Sequence, residues 1–272
     1  MGFLTGLFGK QTKRPQAPRV IARAMVLAAI VCRANLEMDK DDQVRENEEL
    51  APPLLPWLRE LRLKSELEPE ELRFLETPVG SASQHETANK FFLAEGVAVL
   101  AWALRRYELP PYDQLAHPND PLEGVGFLRT ADEGDLRRSA VLRPDPEIGR
   151  FSSHITIVNW RLRQFQAGQD SALYRDATGL FGRGRSGVGE PMDFVGLLRS
   201  YFNFRERWLE DLRLIDGDLA IGDKSISEAA PAEVRLCGCI ATARQVAAYW
   251  LEGDNPIYSK VNPSTLLSAC VE

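Results

Sequence analysis

Two charges stand on helical faces that are otherwise apolar. Glu95 shares its face with Phe92, Val99 and Trp102, and Arg244 shares one with Cys237, Ala241, Ala248 and Leu251. A charge isolated in such surroundings is expensive, so each needs a partner or a water-lined cleft. The two are therefore expected to meet between the two most apolar helices of the chain. The simpler reading is a structural ion pair, because ion-pair networks shift acid–base properties without catalysing anything. The functional reading opens a cleft at the pair, near Trp102 and Trp250, with Glu95 as acid or base and Arg244 as an anion clamp.

Other residues with chemical potential are weighed the same way. Gly182, Gly184 and Gly187 match the spacing of a dinucleotide-binding loop, but no apolar strand precedes them and no acid-bearing second strand follows. Dense glycine favours a surface loop, near residues 179–190, and its functional version grips an anion through Arg183 and Arg185. Cys237 and Cys239 are half a metal site without a second half. Cys32 and Cys270 are single, and His85, His117 and His154 lack ligand spacing, so no metal and no other cofactor is expected. His154 flanks the apolar stripe of Phe151, Ile155 and Val158, where a boundary histidine is a simpler account than a general base. No nucleophile elbow, H-E-x-x-H pair or phosphate-binding P-loop occurs.

Composition narrows the classes. A net charge of −6 gives no general attraction to nucleic acid or anionic membrane. Hydrophobic residues make up 44% of the chain, enough to build a core, and four scattered cysteines fit a reducing compartment, so a cytoplasmic location is expected. The apolar runs at 24–32 and 91–104 are too short or too interrupted to span a membrane. Residues 1–17 read as a flexible arm whose Phe3, Leu4, Leu7 and Phe8 offer a peripheral membrane contact. Its basic residues follow the apolar ones, the wrong order for a signal peptide, and Gly6 stands where a myristoylation pattern wants Ser or Thr.

The elements that must position these residues are mainly helical, in a single compact domain over 18–272. Val20, Ala24, Leu27 and Val31 define a first helix, about residues 18–37. Two short helices follow around Leu58 and from Pro69, and Gly80 closes that unit. The most apolar helix is expected over 86–107, ended by Pro110-Pro111, with loop and short helices onward to Pro144. Asp145-Pro146-Glu147 starts another long helix. An amphipathic helix is expected at about 191–213, then at most one short β-hairpin near 213–226 turning at Asp216-Gly217. A last long helix runs from about Pro231 to Glu252, stopped by Gly253.

Glu95 with Trp102-Ala103-Leu104, and Arg244 with Ala247 and Trp250-Leu251, resemble the bacterial domain of unknown function family 4272. The arginine-rich first helix ending at Leu36-Glu37 and the turn Asp216-Gly217-Asp218-Leu219 extend the likeness to about Arg19–Thr265. Ala243 departs from it where the pattern carries an acid, and the glycine–arginine loop looks like an insertion. The resemblance implies a fold and no activity. The expected function is a non-enzymatic intracellular binding protein whose acidic surface suits a basic partner, such as a toxin or effector domain. The rivals are an unfamiliar enzyme acting on an anionic small molecule through Glu95 and Arg244, and a peripheral membrane protein using the arm.

Overall fold

A computed structural model of the chain describes residues 13–38, 53–117, 119–128, 136, 138–170 and 212–263. The architecture is mainly α. In chain order the helices are α1 (Ala17–Met38), α2 (Leu54–Glu60), α3 (Pro69–Glu76), α4 (Gln84–Phe91), α5 (Leu93–Ala103), α6 (Asn119–Gly124), α7 (Asp145–Asp170) and α8 (Pro231–Glu252). No helix among the described residues is long and apolar enough to cross a membrane.

The first helix is buried on every side: Val20 and Ile21, and each residue from Ala24 to Val31, are inaccessible. A helix apolar all round must be wrapped by others. Around it, α2, α5 and the C-terminal half of α8 build one apolar cluster containing Leu58, Val97, Leu100 and Trp250. A second cluster joins α7 to the N-terminal half of α8 through Ile155, Val158, Leu162, Val234, Cys237 and Ala241. Helix α8 thus feeds both clusters, and each carries the pattern its sequence predicts.

Two elements depart from these expectations. The helix expected over 86–107 is two, α4 and α5, separated at Phe92, and it stops at Ala103 because Arg105 takes a left-handed φ of 59°. The strands lie within the expected 213–226 interval, but there are three: β1 (Leu214–Ile215), β2 (Asp218–Ile221) and β3 (Lys224–Ser225), paired antiparallel in that order. Asp216 and Gly217 both have positive φ, as the first hairpin requires. The second turn, at Gly222-Asp223, joins strands too short to show a period of two. Before α1, Arg14 pairs with Asp145 at 2.8 Å.

Helix α8 ends as its sequence says. Gly253 has φ 83°, and its N–H and that of Asp254 reach back to the carbonyls of Trp250 and Tyr249 at 3.0 Å. Beside this end, the Glu252 carboxylate accepts from the Ser152 hydroxyl at 2.5 Å. Burial pushes the Glu252 carboxyl up from 4.5; Ser152 and Arg14 pull it down, and Asp145 and Asp254 push it up further. A carboxyl raised in the fold binds its proton more tightly there than in the unfolded chain. Its contribution to stability is therefore full below pH 4.5 and lost as pH rises through the raised native value. Glu252→Gln should accordingly gain on the wild type as the pH of thermal melts rises above 4.5. A difference between the two that does not change with pH would contradict this.

Candidate functional site

Glu95 sits in the first turn of α5 and Arg244 in the middle of α8, and each is 1% exposed. Arg244 Nε donates to Glu95 Oε2 at 2.8 Å. Every other contact of the pair goes to one loop. Arg244 Nη1 donates to the carbonyls of Pro110 and Pro111 at 2.9 and 3.1 Å, and Nη2 to that of Gln114 at 2.8 Å. The remaining carboxylate oxygen, Glu95 Oε1, accepts the Ala116 amide at 2.8 Å. The Pro111 carbonyl also accepts the Gln114 amide at 3.1 Å, and the guanidinium fork meets several carbonyls of the loop at once. The pair is a clamp on residues 110–116.

The tryptophans serve other contacts. Trp102 is half-buried, its ring 4.8 Å from Phe151 and beneath Arg143, whose guanidinium lies 4.9 Å from the ring centre. Trp250 is buried against Tyr258, at 5.9 Å, with Arg19 over its face at 5.4 Å. Arg183 and Arg185, Phe3, Leu4, Leu7 and Phe8, and residues 191–211 of the expected amphipathic helix lie outside the described residues. Leu212 and Arg213 are described and are not helical.

Three more arginines do what Arg244 does, and sequence reasoning passed over them. Arg23 of α1, 2% exposed, holds Glu71 of α3 through both terminal guanidinium nitrogens and donates to the Glu66 carbonyl at 2.8 Å. Arg33 of α1 pairs with Glu37 at 2.7 Å and donates to the carbonyls of Thr77 and Pro78, both at 2.9 Å. Glu37 in turn accepts the Gly80 amide at 3.0 Å. Arg161 of α7 forms a two-pronged pair with Asp218 of β2, at 2.8 and 2.5 Å. Each shows in the sequence only as a basic residue among apolar neighbours on a long helix, which does not by itself tell a buried arginine from one that reaches the surface. By contrast Arg73 reaches Glu70 and Glu86 at 3.3 and 3.5 Å from a side chain 67% exposed. Exposed pairs contribute little, so Arg73→Ala should change stability by less than about 1 kcal/mol in urea unfolding. A loss as large as a buried pair gives would contradict the distinction.

The cysteines divide as helix geometry requires. Cys237 faces the second cluster and Cys239 faces outward. Burial, then Asp113 and Glu233, pushes the Cys237 thiol up to about 11, the opposite of an activated nucleophile. Iodoacetamide at neutral pH should therefore label Cys239 in native protein and spare Cys237, read by peptide mass spectrometry. Equal labelling would contradict the packing of α8. His154 is half-buried, its ring 6.4 Å from that of Tyr112. Among the described residues no group of His, Cys, Asp and Glu is arranged to hold a metal ion.

A family model described as Domain of unknown function (DUF4272) matches residues 9–177. The matched stretch carries Glu95, Trp102 and the arginine-rich first helix, and it stops before Arg244 and Trp250. The part of the sequence resemblance beyond residue 177 lies outside it. No curated protein and no solved structure matches the chain.

Proposed function

The chain belongs to the family described as Domain of unknown function (DUF4272), and from its geometry we propose a non-enzymatic binding protein whose partner is a basic protein surface. The observation that carries this reading is the complete internal use of the Glu95–Arg244 pair. Both carboxylate oxygens and all three guanidinium nitrogens are engaged with each other or with backbone of residues 110–116. A general base must reach a proton on its substrate, and an anion clamp must offer N–H groups outward. This pair offers neither, which favours a scaffold over a reaction centre.

The chain as a whole carries an excess of acid, 39 aspartates and glutamates against 33 lysines and arginines. Such an excess speeds encounter with a basic partner and selects among partners more than it adds affinity. A toxin or effector domain with a positive face fits that description, and an intracellular setting fits the free thiols of Cys32, Cys237 and Cys239.

The test is affinity purification of the tagged full chain from its native host at low salt, followed by kinetics with the recovered protein. The expected result is one stoichiometric basic protein whose association rate falls steeply as salt rises. Recovery of no stoichiometric protein, or of one whose association ignores salt, would overturn the reading.

A further inference from the structure

Beyond the left-handed Gly253 the chain turns back across the helices. Tyr258 opens a short 3-10 turn, Tyr258–Lys260, and its side chain is driven between three helices. The Arg23 guanidinium of α1 lies 4.8 Å from its ring centre and Trp250 of α8 lies 5.9 Å away. Its hydroxyl comes against Gly96 of α5 so closely that a Cβ there would overlap it. Val261 is buried in the same cluster, and the Asp254 amide reaches back to the Tyr249 carbonyl at 3.0 Å. Arg19 Nη2 donates to the Pro256 carbonyl at 2.7 Å and the Ser259 amide donates to Glu68 Oε1 at 3.2 Å, both at the surface. The amides of Ile257, Lys260 and Val261 bond within the segment itself.

The bolt of this arrangement is imperfectly satisfied. The Tyr258 hydroxyl is buried with no hydrogen-bond partner, and so is Nε of Arg23 beneath the ring. Dry, unpaired polar groups cost free energy that water would return on exposure. Burial of the ring favours closure, and the two orphaned groups oppose it.

We propose that residues 254–261 form a latch that opens as a unit without global unfolding, with Tyr258 as its bolt and the unpaired hydroxyl setting how often it opens. Opening bares the Trp250 ring and the Arg23–Glu71 pair, an aromatic surface beside the carboxylates of Glu68 and Glu71. The inference stands apart from the proposed function, since it concerns the segment's own equilibrium and not a partner.

Amide hydrogen exchange of the full chain tests it, read at Lys260 and Val261 against Leu100 in α5. The wild type should exchange at the two latch amides faster than at Leu100. Tyr258→Phe removes the orphaned hydroxyl and should slow the latch amides about tenfold. Gly96→Ala should speed them by displacing the hydroxyl. Gly96→Ala with Tyr258→Phe should be slower than wild type, because the orphaned hydroxyl is gone and the next ring atom, Cζ, lies at an ordinary contact distance of 3.6 Å. Should Gly96→Ala fail to fold, the Tyr258→Phe and double variants still decide. Latch amides that exchange in step with Leu100 in the wild type, or that speed up in Tyr258→Phe, would overturn the proposal.

Discussion

Arg244→Met should lower stability by about 3–5 kcal/mol, and the melting temperature by roughly 10 °C, without altering the course of α8. The substitution keeps length and apolar stem but strands the Glu95 carboxylate, 1% exposed, in an apolar interior. It also removes the guanidinium donors to the Pro110 and Gln114 carbonyls, and one of the two donors to that of Pro111. Glu95→Gln should cost a similar amount, by leaving the Arg244 charge uncompensated and turning an amide toward the Ala116 N–H. The two losses should not add, because the second substitution removes a charge already unpaired. Urea unfolding of both variants and the double variant checks this. Full additivity would mean that the two charges do not act as one unit.

Arg23→Met should produce the second large loss, again about 3–5 kcal/mol in urea unfolding. Arg23 and Glu71 are 2% and 4% exposed, and together they hold α3 and the turn before it onto α1. Glu71 has a second duty: its Oε2 accepts the Glu68 amide at 3.0 Å, closing the N-terminus of α3. Glu71→Gln should therefore weaken both the helix start and the pair, and should cost no less than Arg23→Met. A loss below about 1 kcal/mol for either would place the pair among the surface kind.

The legible part of this molecule is what periodicity and punctuation control. The course of α1, the Asp145 start of α7, the Asp216-Gly217 turn and the Gly253 stop each follow from a few local residues, and the structure has them there. The meeting of Glu95 and Arg244 was legible for a different reason: a buried charge must be answered, and each helix carries one charge on its apolar face. The loop that completes the clamp was not legible, because its contribution is backbone carbonyls, which every residue has. Arg23 and Arg33 were missed although they stand on the most deeply buried helix. An arginine's long stem can carry its charge to the surface, and nothing local tells a snorkelling arginine from a buried one. The break at Phe92 falls inside the apolar run Phe91–Ala94, and β3 is two residues long. Neither leaves a pattern in the chain.

The wider lesson lies in the repeated device. Arg23, Arg33, Arg161 and Arg244 each project from a long helix and each meets a carboxylate, and Arg23, Arg33 and Arg244 also bind backbone carbonyls of a connecting segment. Buried ion pairs of this kind fix which arrangement forms more than they add net stability, because desolvation offsets much of their attraction. In this fold their positions match that role. They sit where helices hand over to irregular chain, at residues 66–71, 77–80 and 110–116 and at β2.

The most direct test of the clamp is the exchange rate of one amide. Ala116 N–H donates to Glu95 Oε1 from a buried irregular segment, where no helix or strand ladder holds it. In the wild type it should exchange as slowly as amides in the middle of α5, and in Glu95→Gln it should approach the rate of open chain. An Ala116 amide that exchanges like open chain in the wild type would contradict the account.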